Sequence, residues 1–316
     1  MNTKGIGKLV MCVGMAMSPA AWTAESRLAG IFPEWIKTVA LVAPASPGTS
    51  GEKVDEAICL LEKAGVRVKV MPNAREGEPA EYTSIPAEKR VADLEQAWLD
   101  PEVDLILCIR GGVGTIDIVD KLDWDKLRTR PDLPVLGFSD ITVLHMAMLK
   151  EKAGHPYASA SLLALPNVDA ASLKSIQAVL SGRSPEPIEL TPLREGKASG
   201  VALAGHLRLL EAVSRTRFRP ETQGKVIFIE SPDLAPSEAE RTMKALRESG
   251  FFDSCAAVVF GRLSRCGEQE ETVMRNFAGQ VTCPVYMGFP YGHTPRNHMI
   301  DLRGEVTINA QGRLRR

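Results

Sequence analysis

Ser139 lies where an apolar, strand-like run gives way to a helix-like pattern, and a serine in this position could act as a nucleophile. The run PVLG at residues 134–137 is followed by Phe138, Ser139 and Asp140, and the helical pattern begins at Ile141. A hydroxyl becomes a useful nucleophile only when it is exposed, held in position and placed beside a base. A strand–turn–helix junction supplies the first two conditions, and the helix adds the partial positive charge of its N-terminus.

The residues around Ser139 leave two interpretations open. The G-x-S-x-G signature is incomplete, because Ile141 stands at the position of its last glycine. Ser139 or Asp140 would also suit the ordinary N-cap of the helix that begins at Ile141. If Ser139 is the nucleophile, the amide of Asp140 can point at the developing oxyanion.

A glycine-rich loop, CIRGGVGT at residues 108–115, directly follows another strand-like run. Glycines free backbone amides to approach a ligand closely, so Gly111 and Gly112 could form a cradle for an oxyanion or a carboxylate. The spacing does not match the G-x-G-x-x-G of dinucleotide-binding loops. A purely structural turn is the alternative.

A nucleophilic serine needs a histidine, and the histidine needs an acid that orients it. His293 lies in the loop FPYGHTPRN, where a functional side chain is readily presented. Glu230 ends the apolar run VIFIE, an unfavourable place for a carboxylate without a partner. A cap or a salt bridge in the following turn is the alternative for Glu230. The three residues occur in the order Ser, Glu, His.

The other histidines are His145, expected in the core or on the surface of a helix, and His155, His206 and His298.

The elements that must position these residues alternate between short β-rich runs and helical patterns. Strands are predicted at 38–44, 66–72, 103–110, 133–138, 225–230, 255–261 and from 285, and helices at 52–65, 86–100, 115–122, 204–215 and 237–250. This alternation predicts an α/β fold with a mainly parallel sheet. Ligand sites in such sheets lie at the carboxyl ends of the strands, where Ser139 and Arg110 occur.

The composition divides the chain into two parts. Residues 164–200 are rich in proline, serine, glycine and mixed charge, which indicates a linker between an N-terminal α/β domain at 37–163 and a C-terminal domain at 201–316. The net charge of −1, without a dense basic stripe, argues against a nucleic-acid partner.

The N-terminus has the layout of a secretory signal. Lys4 and Lys8 precede an apolar stretch at 9–17 and small residues at 18–21, so residues 1–24 are predicted to be a signal peptide, with cleavage after Ala20 or Ala24. We expect an exported protein, periplasmic or secreted, without stable membrane insertion after the leader is removed.

The cysteines beyond the leader occur singly in apolar runs, without C-x-x-C or metal-type spacing. They are Cys59, Cys108, Cys255, Cys266 and Cys283. We expect them to be buried as small hydrophobic side chains. Their odd number in an exported protein argues against a disulfide framework.

Several motifs in the same order resemble the LD-carboxypeptidase family, serine peptidases that include murein tetrapeptide carboxypeptidases and microcin C immunity hydrolases. They are VALVAPASPG, IRGGVGTIDIVDKLDW, GFSDITVLH, VALAGHLRLLEAV, VIFIESPDLAPSEAERTM and GFPYGHTPRNHMIDL. The resemblance extends from about residue 37 to 311. It implies a Rossmann-like N-terminal domain and a smaller, β-rich C-terminal α/β domain, with the active site in the groove between them.

Carried over residue by residue, the resemblance makes Ser139 the nucleophile, His293 the base and Glu230 its partner. The amides of Gly112 and Asp140 correspond to the oxyanion hole. The implied reaction releases the terminal D-alanine of a peptidoglycan tetrapeptide and needs no metal or cofactor. Arg110, Gly111 and His206 are candidate substrate contacts. For the oligomeric state, a monomer and a homodimer are the two alternatives.

Two departures from the family pattern affect the expected substrate. GHPYASASL replaces the usual HGP segment, and AGH replaces GGN, so that His206 stands in place of asparagine. A hydrolase that acts on peptide–nucleotide conjugates and a non-catalytic protein that binds cell-wall peptides are the alternatives.

Overall fold

The computed structural model describes residues 28–47, 51–75 and 85–316; the predicted signal peptide lies outside them. The strands of the described residues are β1 (Thr38–Val42), β2 (Arg67–Val70), β3 (Leu105–Cys108), β4 (Pro134–Gly137), β5 (His155–Ala158), β6 (Ile188–Glu189), β7 (Thr191–Arg194), β8 (Ala198–His206), β9 (Val226–Ser231), β10 (Ala257–Leu263), β11 (Val285–Met287), β12 (Ile300–Asp301), β13 (Glu305–Ile308) and β14 (Arg313–Arg315). The helices are α1 (Gly51–Lys63), α2 (Ala87–Leu99), α3 (Trp124–Leu127), α4 (Thr142–Glu151), α5 (Ala170–Leu180), α6 (Leu207–Val213), α7 (Pro236–Glu248) and α8 (Glu270–Ala278).

The first sheet has six strands in the order β12-β5-β4-β3-β1-β2. The neighbours from β5 to β2 are parallel, and only the edge strand β12 pairs antiparallel, with β5. Every residue of β1, β3 and β4 is buried. Continuous apolar runs of this kind are typical of parallel strands that are covered on both faces.

The second sheet has eight strands in the order β6-β14-β13-β8-β9-β10-β11-β7. Its centre, β8 to β11, is parallel, and the flanking strands are antiparallel. The edge strands β6 and β7 are separated along the chain by Leu190 alone, so the sheet curls into a nearly closed barrel. The predicted α/β class with two domains is confirmed.

Two helices differ from the sequence prediction. The prediction of a helix at 115–122 is wrong, because only the 3₁₀ turn Thr115–Asp117 forms there. The next helix, α3, begins at Trp124, and Asp123 is its N-cap. In the helix expected at 204–215, residues 204–206 belong to β8, because Ala204, Gly205 and His206 pair with β9.

The segment 164–200, predicted as a linker, contains regular structure. It includes α5, β6, β7 and the beginning of β8. Asp169 caps α5 by accepting a hydrogen bond from the Ser172 amide at 2.7 Å. After the second sheet has begun, the chain also returns to the first sheet through β12.

The five cysteines of the described residues are free thiols, and four of them are buried as expected. Cys59 is the exception, because it lies on an exposed position of α1. None of the helices described here has the length and apolar character needed to span a bilayer.

Candidate active site

Ser139 lies two residues after the end of β4 and adopts a left-handed backbone conformation with φ = 64°. This conformation costs a residue with a side chain roughly 1–3 kcal/mol and is typical of functional sites. The chain then enters the 3₁₀ turn Ser139–Ile141 and α4. Gly137 permits the sharp bend, since a Cβ there would lie 2.5 Å from Ile141 Cγ2.

His293 connects Ser139 to Glu230. The Ser139 hydroxyl lies 3.0 Å from His293 Nε2, and His293 Nδ1 lies 2.9 Å from Glu230 Oε2. An ionised carboxylate only accepts hydrogen bonds, so Nδ1 carries the proton and Nε2 is free to accept from the hydroxyl. The structure thus brings His293 together with Glu230, which lies 63 positions earlier in the sequence, and with Ser139, which lies 154 positions earlier.

Glu230 is completely buried at the end of β9, whereas the His293 side chain is 31% exposed. Burial, with the charge of Glu230 as a second cause, raises the pKa of the Tyr291 hydroxyl well above its ordinary value. The His293 ring also packs 4.4 Å from the Phe138 ring, centroid to centroid. One face of the imidazole is therefore fixed by packing while its Nε2 remains reachable.

The glycine-rich loop passes directly beside the serine. A Cβ on Gly111 would lie 2.6 Å from Ser139 Cβ, and Gly112 has φ = 120°. Ser46 forms two hydrogen bonds with this loop. Its amide donates to the Gly111 carbonyl and its hydroxyl accepts from the Val113 amide, both at 3.3 Å. A Cβ on Gly112 would lie 2.2 Å from Ser46 Oγ. Only glycines allow this approach.

Asp140 is buried, and its carboxylate accepts hydrogen bonds from the amide and the hydroxyl of Thr115, at 2.8 and 2.6 Å. Burial raises the pKa of Asp140, and the Thr115 bonds oppose the rise. The N-cap interpretation is therefore wrong: neither Ser139 nor Asp140 caps the 3₁₀ turn or α4 with its side chain.

A cleft of about 400 Å³ opens above Ser139 between the two halves of the chain. Its lining comes from Arg110, Gly111, Gly112, Phe138, Ser139, Ser161, Ala164, Asn167, Val168, Gly292, His293, Thr294, Pro295 and Asn297. Among the residues that the structure describes, this lining contains no carboxylate, and Arg110 is its only arginine or lysine.

His206 lies behind His293 and does not line the cleft. Its ring centroid is 6.0 Å from that of His293, and its Nε2 pairs with Asp233 at 3.2 Å. This contact, a hydrogen bond from His206, holds the pKa of Asp233 well below its ordinary value. Of the remaining histidines, His145 is buried in α4 as expected, and His155 pairs with Asp301 at the other end of β5.

Sequence reasoning missed the residues that hold the loops around the site: Ser46, Thr115 and Arg90. Arg90 is buried, and one of its Nη atoms donates to the carbonyls of Pro44 and Gly114, each at 2.7 Å. The signal for Arg90 was present, since it shares the apolar stripe of α2 with Leu94 and Ala97. Ser46 and Thr115 gave no such signal. Across the described residues no cluster of three or more His, Cys, Asp or Glu side chains is arranged to hold a metal ion.

Two family models match the chain in order. Residues 39–158 match the LD-carboxypeptidase N-terminal domain, and residues 199–308 match the LD-carboxypeptidase C-terminal domain. A probable murein peptide carboxypeptidase of Bacillus subtilis is 29% identical over 86% of this chain and 88% of its own length. The murein tetrapeptide carboxypeptidase of Pseudomonas aeruginosa is 28% identical over 82% of this chain and 89% of its own length.

Solved structures share the fold. The muramoyltetrapeptide carboxypeptidase from Oxalobacter formigenes superimposes with a TM-score of 0.76 at 21% identity, covering 88% of this chain and 97% of that one. MccF, a microcin self-immunity protein solved with glutamyl sulfamoyl guanosine, gives a TM-score of 0.79 at 16% identity, with coverages of 89% and 95%.

Proposed function

The chain belongs to the LD-carboxypeptidase family of hydrolases, and on this premise we propose that it releases the terminal D-alanine from peptidoglycan tetrapeptides through Ser139, His293 and Glu230. The observation that carries the proposal is the continuous hydrogen-bond chain from the Ser139 hydroxyl through His293 to the buried Glu230 carboxylate. The names of the murein-specific relatives support the substrate class.

In the first half of the reaction, Ser139 attacks the carbonyl carbon of the amide before D-alanine. His293 Nε2 takes the hydroxyl proton as general base, and Glu230 stabilises the imidazolium that forms. His293 then gives this proton to the departing amine, so that D-alanine leaves and an acyl-enzyme remains. Ser139, with its left-handed backbone, lines the cleft in which the substrate would bind.

The negative charge that develops on the carbonyl oxygen needs donors that are already in place. The amides of Gly112 and Asp140 flank Ser139 on two different loops, and we assign them to the oxyanion hole. Loss of one such donor typically lowers the rate about a hundredfold or more. Ser46 and Thr115 hold these two loops in position.

In the second half of the reaction, water replaces the amine in the cleft. His293 Nε2 accepts a proton from the water as it attacks the acyl carbon, and then gives this proton to Ser139 Oγ as the bond between the acyl carbon and Oγ breaks. The products are the shortened peptide and free D-alanine.

Arg110 is the proposed contact for the terminal carboxylate of the substrate. It lines the cleft beside Gly111 and on the same loop as Gly112. A guanidinium binds a carboxylate in a bidentate manner, which would select a free C-terminus over an internal amide. This contact would make the enzyme an exopeptidase.

We also propose that the chain has two domains, at 37–163 and 201–316. A further proposal is that the leader at 1–24 directs export. Cell-wall peptides outside the cytoplasm would then be the substrates. Expression of the full chain in a Gram-negative host tests the location. Export predicts a shortened mature N-terminus in the periplasmic or culture fraction, and a full-length chain retained in the cytoplasm would refute it.

Product analysis tests the substrate. The purified protein is incubated with a defined disaccharide tetrapeptide and, separately, with an acyl-sulfamoyl nucleotide of the kind bound by MccF. The proposal predicts D-alanine and the matching tripeptide from the first compound. Cleavage of the second compound alone would favour the immunity-type activity. Binding without turnover, together with no labelling of Ser139 by an acylating reagent, would favour a non-catalytic protein.

A further inference from the structure

Cys255 and Cys283 lie side by side at the end of the second sheet opposite the candidate active site. Their sulfur atoms are 3.4 Å apart, and both residues are buried. Cys255 precedes β10 and Cys283 precedes β11, and these two strands are parallel neighbours. Each cysteine thus ends a loop that leads into the sheet.

The two sulfurs are chemically unequal. Cys255 donates its thiol hydrogen toward Cys283 Sγ, and this bond lowers the pKa of Cys283, with the charge of Arg194 as a smaller cause. The same bond, together with burial, raises the pKa of Cys255. We therefore assign Cys283 as the attacking sulfur and Cys255 as the second sulfur of the pair, and an exchange in the opposite order would give the same bond.

We propose that Cys255 and Cys283 form a disulfide bond when the chain folds under oxidising conditions. The bond needs the sulfurs to approach from 3.4 Å to about 2 Å. Burial of the finished pair then shields it from reductants. The predicted export would supply the oxidising environment, but the pairing itself does not depend on it.

The oxidant is a disulfide, either of a low-molecular-weight thiol or of an oxidoreductase. The Cys283 thiolate attacks one sulfur of this disulfide, which releases the first thiol and leaves a mixed disulfide on Cys283. Cys255 loses its proton and attacks the Cys283 sulfur, which releases the second thiol. Two protein thiols are oxidised and one disulfide is reduced to two thiols, so the electrons balance.

The bond would stabilise the part of the sheet that carries the catalytic residues. β10 pairs on one side with β9, which ends at Glu230 and Ser231, and on the other side with β11, which leads into the His293 loop. The cysteines are 28 residues apart, and a closed loop of this size restricts the unfolded chain considerably. We expect the melting temperature to rise by about 5 °C when the bond forms.

Peptide mapping of the refolded protein tests the pairing. The full chain is unfolded with its thiols reduced, refolded in oxidised glutathione, alkylated in denaturant and digested with trypsin without reduction. The cysteines fall in separate peptides, residues 248–262 for Cys255 and 276–296 for Cys283. The proposal predicts these two peptides linked to each other, with Cys12, Cys59, Cys108 and Cys266 absent from any cross-linked peptide. Alkylation of Cys255 and Cys283 as free thiols, or linkage of another pair, would overturn the proposal.

Thermal melting of the same samples tests the stabilising effect. Protein refolded in reductant is expected to melt about 5 °C below protein refolded in oxidised glutathione. The exposed Cys59→Ser variant should keep this difference and Cys283→Ser should lose it. Equal melting temperatures of the linked and reduced wild-type protein would overturn the stabilising role, and the mapping decides the pairing even if Cys283→Ser fails to fold.

Discussion

At the scale of single residues, the position of His293 depends on a charge buried at the end of a strand. Glu230 has no exposed surface, one of its oxygens bonds His293 Nδ1, and the other has no hydrogen-bond partner among the described residues. A buried carboxylate is costly unless it is paired. The arrangement is better explained by the chemistry of His293 than by stability.

Replacement of Glu230 by glutamine is expected to separate activity from stability. The neutral amide cannot stabilise the imidazolium, so kcat should fall about a thousandfold or more, whereas the melting temperature should hold or rise because a buried charge is removed. The exposed Glu195 provides the matched control, Glu195→Gln. Steady-state kinetics with a tetrapeptide substrate measure the effect, and a Glu230→Gln enzyme with wild-type kcat would disprove the role of Glu230.

Ser46 contacts the glycine-rich loop without lining the cleft, so its effect should appear in kcat rather than in KM. Ser46→Ala removes the hydroxyl that accepts from the Val113 amide. The Gly112 amide is then less well oriented, and we expect kcat to fall about tenfold with KM nearly unchanged. An increase in KM at constant kcat would instead indicate a role in substrate binding.

At the scale of secondary-structure elements, the site depends on how closely the loops after β3 and β4 approach each other. Gly111 and Ser139 belong to these neighbouring loops, and no side chain fits between them. Gly111→Ala is expected to displace Ser139 and lower kcat/KM by about a hundredfold or more. Gly279→Ala is the matched control, because its φ is −71° and the nearest atom to its Cβ lies at 3.6 Å. Equal activity of the two variants would contradict the close approach.

The sequence predicted the strands better than the helices, for a physical reason. Buried parallel strands are short, mainly apolar runs, and β1, β3, β4 and β9 all have this form. In place of the expected helix at 115–122 a 3₁₀ turn begins at Thr115, whose amide and hydroxyl bind Asp140, a contact 25 residues away. Local periodicity carries no information about such a contact.

The sequence predicted which strand ends carry the candidate site residues, but it did not predict the distances between those residues. Ser139, Glu230 and His293 each follow or end a strand, which the residue pattern indicates. Their mutual distances depend on how the two sheets pack against each other, and the first sheet contributes the serine while the second contributes the other two. In the sequence alone, Ser46 and Thr115, which hydrogen-bond the loops around the site, cannot be told apart from other loop serines and threonines.

At the scale of the whole molecule, two histidines that are buried without charge make stability depend on pH. Burial lowers the pKa of His145 to about 3 and that of His298 to about 4, from an ordinary value of 6.5. Between these values the unfolded chain binds more protons than the folded chain, so stability is lost as the pH falls from about 6.5 toward 4. Asp140 acts in the opposite direction, because its pKa is raised by burial.

Chemical denaturation between pH 7 and pH 4 measures this dependence. The free energy of unfolding should decrease with falling pH, by at most about 1.4 kcal/mol per pH unit for each histidine. His145→Gln, which removes the titrating ring from α4, should flatten the slope even if it lowers the overall stability. An unchanged slope in the variant would show that His145 does not cause the dependence.

The central claim is that Ser139 attacks the substrate, and the release of D-alanine by Ser139→Ala tests it most directly. The matched control is Ser254→Ala, an exposed serine just before β10 and far along the chain from the site. With a defined peptidoglycan tetrapeptide and detection by mass spectrometry, we expect the Ser254→Ala enzyme to match the wild type. The Ser139→Ala enzyme should release D-alanine more than about a thousandfold more slowly. Release by Ser139→Ala at the wild-type rate would contradict the account.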